Sequence, residues 1–227
     1  MWRLQIYSYF RGINDTKEEV RKYMEATGYV LYGYLSGSVL YARVFAKIFK
    51  KENMLEKSKD KNPGTANAFM HGGFLCGVLT LVFDLLKGFL PVFLYIIYSR
   101  GRNDVSVWLS FVMAAPVMGH AFPLFHHLRG GKGIATTFGS LLGLLPVWQP
   151  AVALAVFFIF FSLILRITPH FQRTLFAYLC ALVCMTCMQQ YREILIGFLM
   201  ITAAVGIRMF KSPEKREKMR VNLLWMF

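Results

Sequence analysis

The sequence is poor in acidic residues. Twelve Asp and Glu face 26 Lys and Arg, and charged residues of both signs fill only 17% of the 227 positions. A soluble domain carries nearer a quarter, so an ordinary water-soluble globule is excluded. From residue 61 onward the aspartates are Asp84 and Asp104. No carboxylate cluster able to hold a magnesium ion is present there, and no metal site is expected. Cysteine is scarce too. Cys180, Cys184 and Cys187 share one helical face, with Met185 and Met188 as the soft neighbours. That set lacks the ligands of a metal site and reads as small apolar packing. No disulfide framework is indicated. The first 25 residues are polar and mixed in charge, without the apolar core of a cleavable signal peptide.

What is abundant is apolar surface. Hydrophobic residues make up 56%, and aromatics 16% with 21 Phe. About 20 apolar residues cross a bilayer as a helix. Runs of that kind cover residues 26–42, 66–98, 105–124, 134–146, 149–165, 173–188 and 193–209, divided by polar tracts and by Pro146, Pro150, Pro169 and Glu193. The expectation is an all-α, polytopic integral membrane helical bundle of about seven transmembrane helices. Residues 1–25 would be a polar tail read as a short surface helix or an unstructured lead. Residues 26–210 would be the membrane domain and 211–227 a basic cytoplasmic tail. The run 66–98 is taken as one span kinked at Pro91.

The net charge of +14 does not indicate nucleic acid, because the basic residues sit between apolar runs. Such placement fits loops beside anionic lipid. With seven spans, one side collects 17 Lys and Arg and the other 8. The heavier side should be cytoplasmic, with the N-terminus outside. The expected location is multi-pass in the plasma membrane. No internal repeat is visible, which argues against an inverted-repeat transporter.

Three polar, glycine-containing stretches should meet on the heavier side. Ser36-Gly37-Ser38, followed by Arg43 and Lys47, reads either as small-residue helix packing or as part of a site. Asn62-Pro63-Gly64-Thr65-Ala66-Asn67 reads either as a helix cap or as phosphate-binding backbone. Gly119-His120-Ala121-Phe122-Pro123 leads into Gly130-Gly131-Lys132-Gly133-Ile134-Ala135-Thr136. Glycines around a lysine at a helix start build an anion nest with a cation beside it. Gly133 stands where a Walker A loop needs Ser or Thr, so this is not one. Inside apolar sequence, Asp84 and Lys87 are three apart and share a helical face, as a neutralised structural pair or as functional groups. His120 is either a hydrogen-bonded interior histidine or a catalytic one.

In this order the motifs resemble those of the bacterial acylphosphate-dependent glycerol-3-phosphate acyltransferases, the PlsY family. The resemblance covers roughly residues 29–210 and is densest from Gly119-His120 to Gly139, with Asp84…Lys87-Gly88 and Gly33-Tyr34-Leu35…Ser38 matching as well. Several positions depart from the family pattern. Leu40 stands where proline is usual, Lys59-Asp60-Lys61 replaces Gly-Ser-Gly, Thr65-Ala66 is inverted, and Met70 replaces an arginine. Lys211-Ser212-Pro213-Glu214 carries no tail histidine.

The resemblance implies a divergent member that moves a fatty acyl group from acyl phosphate to the 1-hydroxyl of glycerol 3-phosphate. The products are lysophosphatidic acid and phosphate, and no metal, cofactor or acyl-CoA is used. No histidine here has aspartate five residues on, so the His-x4-Asp signature of the soluble-donor enzymes is absent. The residues expected to react are Ser38, His120 and Lys132. Substrate contacts are expected from Lys47, Asn62, Gly64, Thr65, Asn67, Asp84, Lys87, Gly130, Gly131, Gly133 and Thr136. Two rival readings remain. One is a small transporter or channel, with Asp84, Lys87 and His120 along its path. The other is a phosphatidyl transferase, which lacks its aspartate-rich motif here.

Overall fold

The structure is a computed structural model. It describes residues 2–58, 60–100, 107–188, 191–212 and 218–223, without the side chains of 2–16 and Arg100. Lys59 and most of the C-terminal tail, including Pro213 and Glu214, lie outside the described residues.

Helix α1 (Trp2–Ser38) has 37 residues. At 1.5 Å per residue it is about 55 Å long, well beyond the roughly 30 Å hydrocarbon core. The polar residues 2–25 are thus continuous in one helix with residues 26–38, and Lys17–Val20 on it are exposed. Short helices α2 (Tyr41–Ile48), α3 (Met54–Lys57) and α4 (Thr65–Asn67) follow, and α4 runs on as a π turn over Ala68–Gly72.

The apolar run from residue 66 is thus not one helix. Gly73, at φ +95°, breaks it. A side chain at that φ is strained, so glycine marks the boundary. Helix α5 (Phe74–Arg100) then continues through Pro91 without interruption. Helix α6 (Trp108–Ala121) lies at the centre. It packs on α1 and on α10 (Arg192–Phe210), and touches α5 and α7 (Ile134–Leu142). Helix α7 lies along α5, while α8 (Gln149–Ile159), extended by a π turn over Phe160–Ile164, packs on α9 (His170–Cys187). The core runs through Val112, Met113, Val117, Leu141, Leu154, Tyr178 and Phe198.

The outer surface is apolar. Leu75, Val82, Leu86, Leu90, Leu94 and Ile97 of α5 are exposed at helical spacing, as are Val152, Val156 and Ile159 of α8. An apolar stripe this long turned away from the core needs an apolar solvent. Among the described residues, Phe74–Ser99, Trp108–His126 and Arg192–Phe210 are long and apolar enough to cross a membrane. Helix α7 has nine residues and reaches only about 14 Å. The run 134–146 therefore folds as a half-length helix. The end of the chain also differs from a free tail, because Arg220–Leu223 pairs antiparallel with Leu165–Thr168, Leu165 opposite Leu223.

Candidate active site

Close helix contacts assemble the site. A Cβ on Gly37 of α1 would run into the Pro116 carbonyl of α6, and one on Gly119 of α6 into the Tyr34 carbonyl of α1. The same reciprocal contact joins Gly88 of α5 to the Thr136 carbonyl and Gly139 of α7 to the Leu85 carbonyl. Small residues let these backbones touch, as membrane helices require. The end of α6, the middle of α5 and the start of α7 are thereby drawn together. Ser38 fastens the first contact. Its Oγ donates to Tyr34 O at 2.8 Å and accepts the Leu124 N–H at 3.2 Å.

Behind the site is a buried charge cluster. Lys87 Nζ lies 2.8 Å from Asp84 Oδ1, with both side chains 1% exposed. The same ammonium donates to Val39 O at 2.7 Å and meets His120 Nδ1 at 2.7 Å. An ammonium has three donors and no acceptor. Because the ammonium cannot accept, His120 Nδ1 accepts at this contact, which for a neutral ring puts the ring proton on Nε2. Gly131 leaves room for that edge of the ring, since a Cβ there would strike His120 Nε2. The Thr65 hydroxyl lies against the Asp84 carboxylate.

The glycine loop is held from both ends. Gly131 N–H donates to His120 O at 3.0 Å, and Arg208 of α10 donates through Nε to Gly130 O at 2.9 Å. Gly133, at φ +78°, turns the chain into α7. The second motif docks directly on this loop. Lys132 N–H donates to Asn62 Oδ1 at 3.1 Å, and Lys132 Nζ pairs with Asp60 Oδ2 at 2.9 Å. Asp60 Oδ1 in turn accepts from Asn67 Nδ2 at 2.8 Å and from the Asn62 N–H at 3.2 Å. Burial pushes the Asp60 carboxyl up, but the Asn67 amide and the Lys132 ammonium outweigh it and hold it below the usual carboxylate range.

Between these parts lies a cavity of about 800 Å³. Its lining carries the polar residues Asp60, Asn62, Asn67, Asp84, His120 and Lys132, with His170 and Arg173 from α9. Leu81, Ile134, Ala135, Phe138 and Phe158 add apolar lining. The first turn of α7 faces it through Gly133, Ile134 and Ala135, bringing the N-terminal end of a helix to the cavity.

Most residues anticipated from sequence gather here. Asn62, Gly64, Thr65, Asn67, Asp84, His120, Lys132 and Gly133 line the cavity. Lys87 backs it, Gly130 and Gly131 form the loop that carries Lys132, and Thr136 is buried in the first turn of α7. Two residues lie elsewhere. Lys47 is exposed on α2 and does not line the cavity, and the buried Ser38 hydroxyl is engaged between α1 and the α6 exit. Asp60, Lys57, His71, His170, Arg173 and Arg208 were not anticipated. For Asp60 there was a signal, a carboxylate inside a basic tract directly before the second motif.

Comparison with known proteins agrees with this arrangement. The family model described as glycerol-3-phosphate acyltransferase matches residues 27–216. A glycerol-3-phosphate acyltransferase of Legionella pneumophila (strain Philadelphia 1) is 42% identical over 113 residues, 50% of this chain and 39% of that protein. One from Sodalis glossinidius is 36% identical over 116 residues, 51% of this chain and 53% of that protein. The chain thus spans about half, or less, of the length of these curated relatives. Two crystal structures of PlsY, an integral membrane glycerol 3-phosphate acyltransferase, share 27% identity. The glycerol 3-phosphate form has a TM-score of 0.69 over 82% of this chain and 89% of that one. The lysophosphatidic acid form has a TM-score of 0.67 over 81% and 87%. With the motif order, the cavity and the family match in agreement, this integral membrane chain belongs to the glycerol-3-phosphate acyltransferase family.

Proposed function

We propose that the chain transfers a fatty acyl group from acyl phosphate to the 1-hydroxyl of glycerol 3-phosphate, releasing lysophosphatidic acid and phosphate. The observation that carries this reading is one cavity lined both by groups that suit phosphate and by large apolar side chains. The glycine loop, Lys132 and the α7 start suit a phosphate. Leu81, Ile134, Phe138 and Phe158 suit an acyl chain.

The acceptor hydroxyl attacks the acyl carbon, the carbonyl oxygen takes up charge, and the phosphate leaves with the C–O electron pair. Lys132 and the N–H groups at the α7 start would stabilise that charge. His120 is a donor in this arrangement. Its Nδ1 lone pair is taken by Lys87, so Nε2–H offers a proton and His120 presents no basic nitrogen to the cavity. The hydroxyl proton passes to a phosphate oxygen, which a good leaving group permits. Ser38 acts as a positioning residue that fixes the α6 exit. Lys87 holds the ring of His120, and Asp84 holds Lys87 while also lining the cavity. Because those two groups and His120 satisfy one another, the cluster does not favour a transport path.

The site would face the cytoplasm of the plasma membrane, where charge placement puts the basic loops. The test is donor choice by the purified, detergent-solubilised chain. Acyl phosphate should support lysophosphatidic acid formation with chelator present, and acyl-CoA should not. A strict need for acyl-CoA, or loss of activity with chelator, would overturn the donor assignment.

A further inference from the structure

Asp60 brings a negative charge into a cavity that otherwise suits anions. Its carboxylate collects the Asn62 N–H at 3.2 Å, Asn67 Nδ2 at 2.8 Å and Lys132 Nζ at 2.9 Å. A backbone amide, a side-chain amide and an ammonium are also the donors that a phosphate oxygen takes. The side chain is 15% exposed and lines the cavity, so it lies where a bound anion would reach the same donors.

We propose that Asp60 is a built-in competitor for substrate phosphate. Its carboxylate occupies the phosphate donors in the resting chain and sets a weak affinity for phosphate-bearing substrates. An incoming dianion must share or displace these partners and meets a like charge at close range. A neutral side chain at this position would hold the same donors more weakly and would not repel the anion. The proposal rests on reading the cavity as a phosphate site.

The test uses the full chain in detergent with inorganic phosphate as probe, titrated by calorimetry, beside steady-state kinetics with glycerol 3-phosphate. Asp60→Asn and Asp60→Ser should each bind phosphate about tenfold more tightly. KM for glycerol 3-phosphate should fall in step, with kcat changing less. Asp60→Glu keeps the charge and should stay near the wild type, a pattern that a purely structural role would not give. Unchanged or weaker phosphate binding in both neutral variants would overturn the proposal. So would the absence of phosphate binding in every form, or a chain that folds with Glu but with neither Asn nor Ser. Tighter phosphate binding without turnover of glycerol 3-phosphate would uphold Asp60 as competitor and reject the proposed acceptor, so the two readings fail separately.

Discussion

Lys87 has three acceptors within 2.8 Å and almost no access to solvent. Removing one member of a buried pair strands the other, at about 3–5 kcal/mol. Lys87→Met should therefore lower the unfolding midpoint sharply, and Asp84→Leu combined with it should restore part of the loss. A double-mutant cycle by thermal melting measures this, and additive effects would mean that the pair is not coupled. Asp60 gives a pH signature. Its carboxyl is held below the ordinary range, so its stabilising contribution is complete above the unfolded value near 4 and is lost as pH falls through the lower folded value. The stability gap between wild type and Asp60→Asn should be flat from about pH 5 upward and should close in stronger acid. At this scale the sequence was partly legible. The i, i+3 spacing announced the Asp84–Lys87 pair. It said nothing of His120 as third partner, because that contact joins helices 33 residues apart. Asp60 looked like a departure from the motif, since its meaning depends on Lys132, which is distant in the chain.

Among the elements, glycine placement decides how closely the helices approach. Gly37→Ala and Gly139→Ala would drive a methyl into a backbone carbonyl of the neighbouring helix, whereas Gly28 has open space. Each of the first two should destabilise by about 1–3 kcal/mol and reduce activity, because the contact also sets the α6 exit or the α7 start. Gly28→Ala should be neutral or stabilising by up to about 1 kcal/mol. Equal melting points for all three would show that close packing does not hold the site. Helix boundaries were the least legible part of the sequence. Hydropathy runs smoothly through Gly72 and Gly73, so a continuous span was expected where α4, a π turn and α5 stand. The nine-residue α7 was masked by the apolar residues after it, which turn through Gly143 to Trp148. The pairing of Leu165–Thr168 with Arg220–Leu223 left no trace, because four-residue strands so far apart carry no periodicity of their own.

For the whole molecule, composition was a sound guide. A membrane fold was readable from few charges and long apolar runs, and the exposed apolar stripes on α5 and α8 are its structural counterpart. The common end of the three polar stretches was readable as well. The hydrogen bonds from Leu124 to Ser38 and from Lys132 to Asn62 join them. The bias of basic residues predicts that this end faces the cytoplasm. In a cysteine-free background, Glu52→Cys in the exposed loop after α2 should resist a membrane-impermeant thiol reagent in intact cells and react after lysis. Labelling from outside would reverse the orientation. The most direct measurement of the central claim is lysophosphatidic acid formation from acyl phosphate and labelled glycerol 3-phosphate, by the purified wild-type chain beside Lys132→Ala. Lys132 lines the cavity, and its backbone and side chain both engage the second motif. The wild type should form product that requires both substrates, and the variant should fold yet lose about 10²–10³ in rate. No product from the wild type, or an undiminished rate in the variant, would contradict the account.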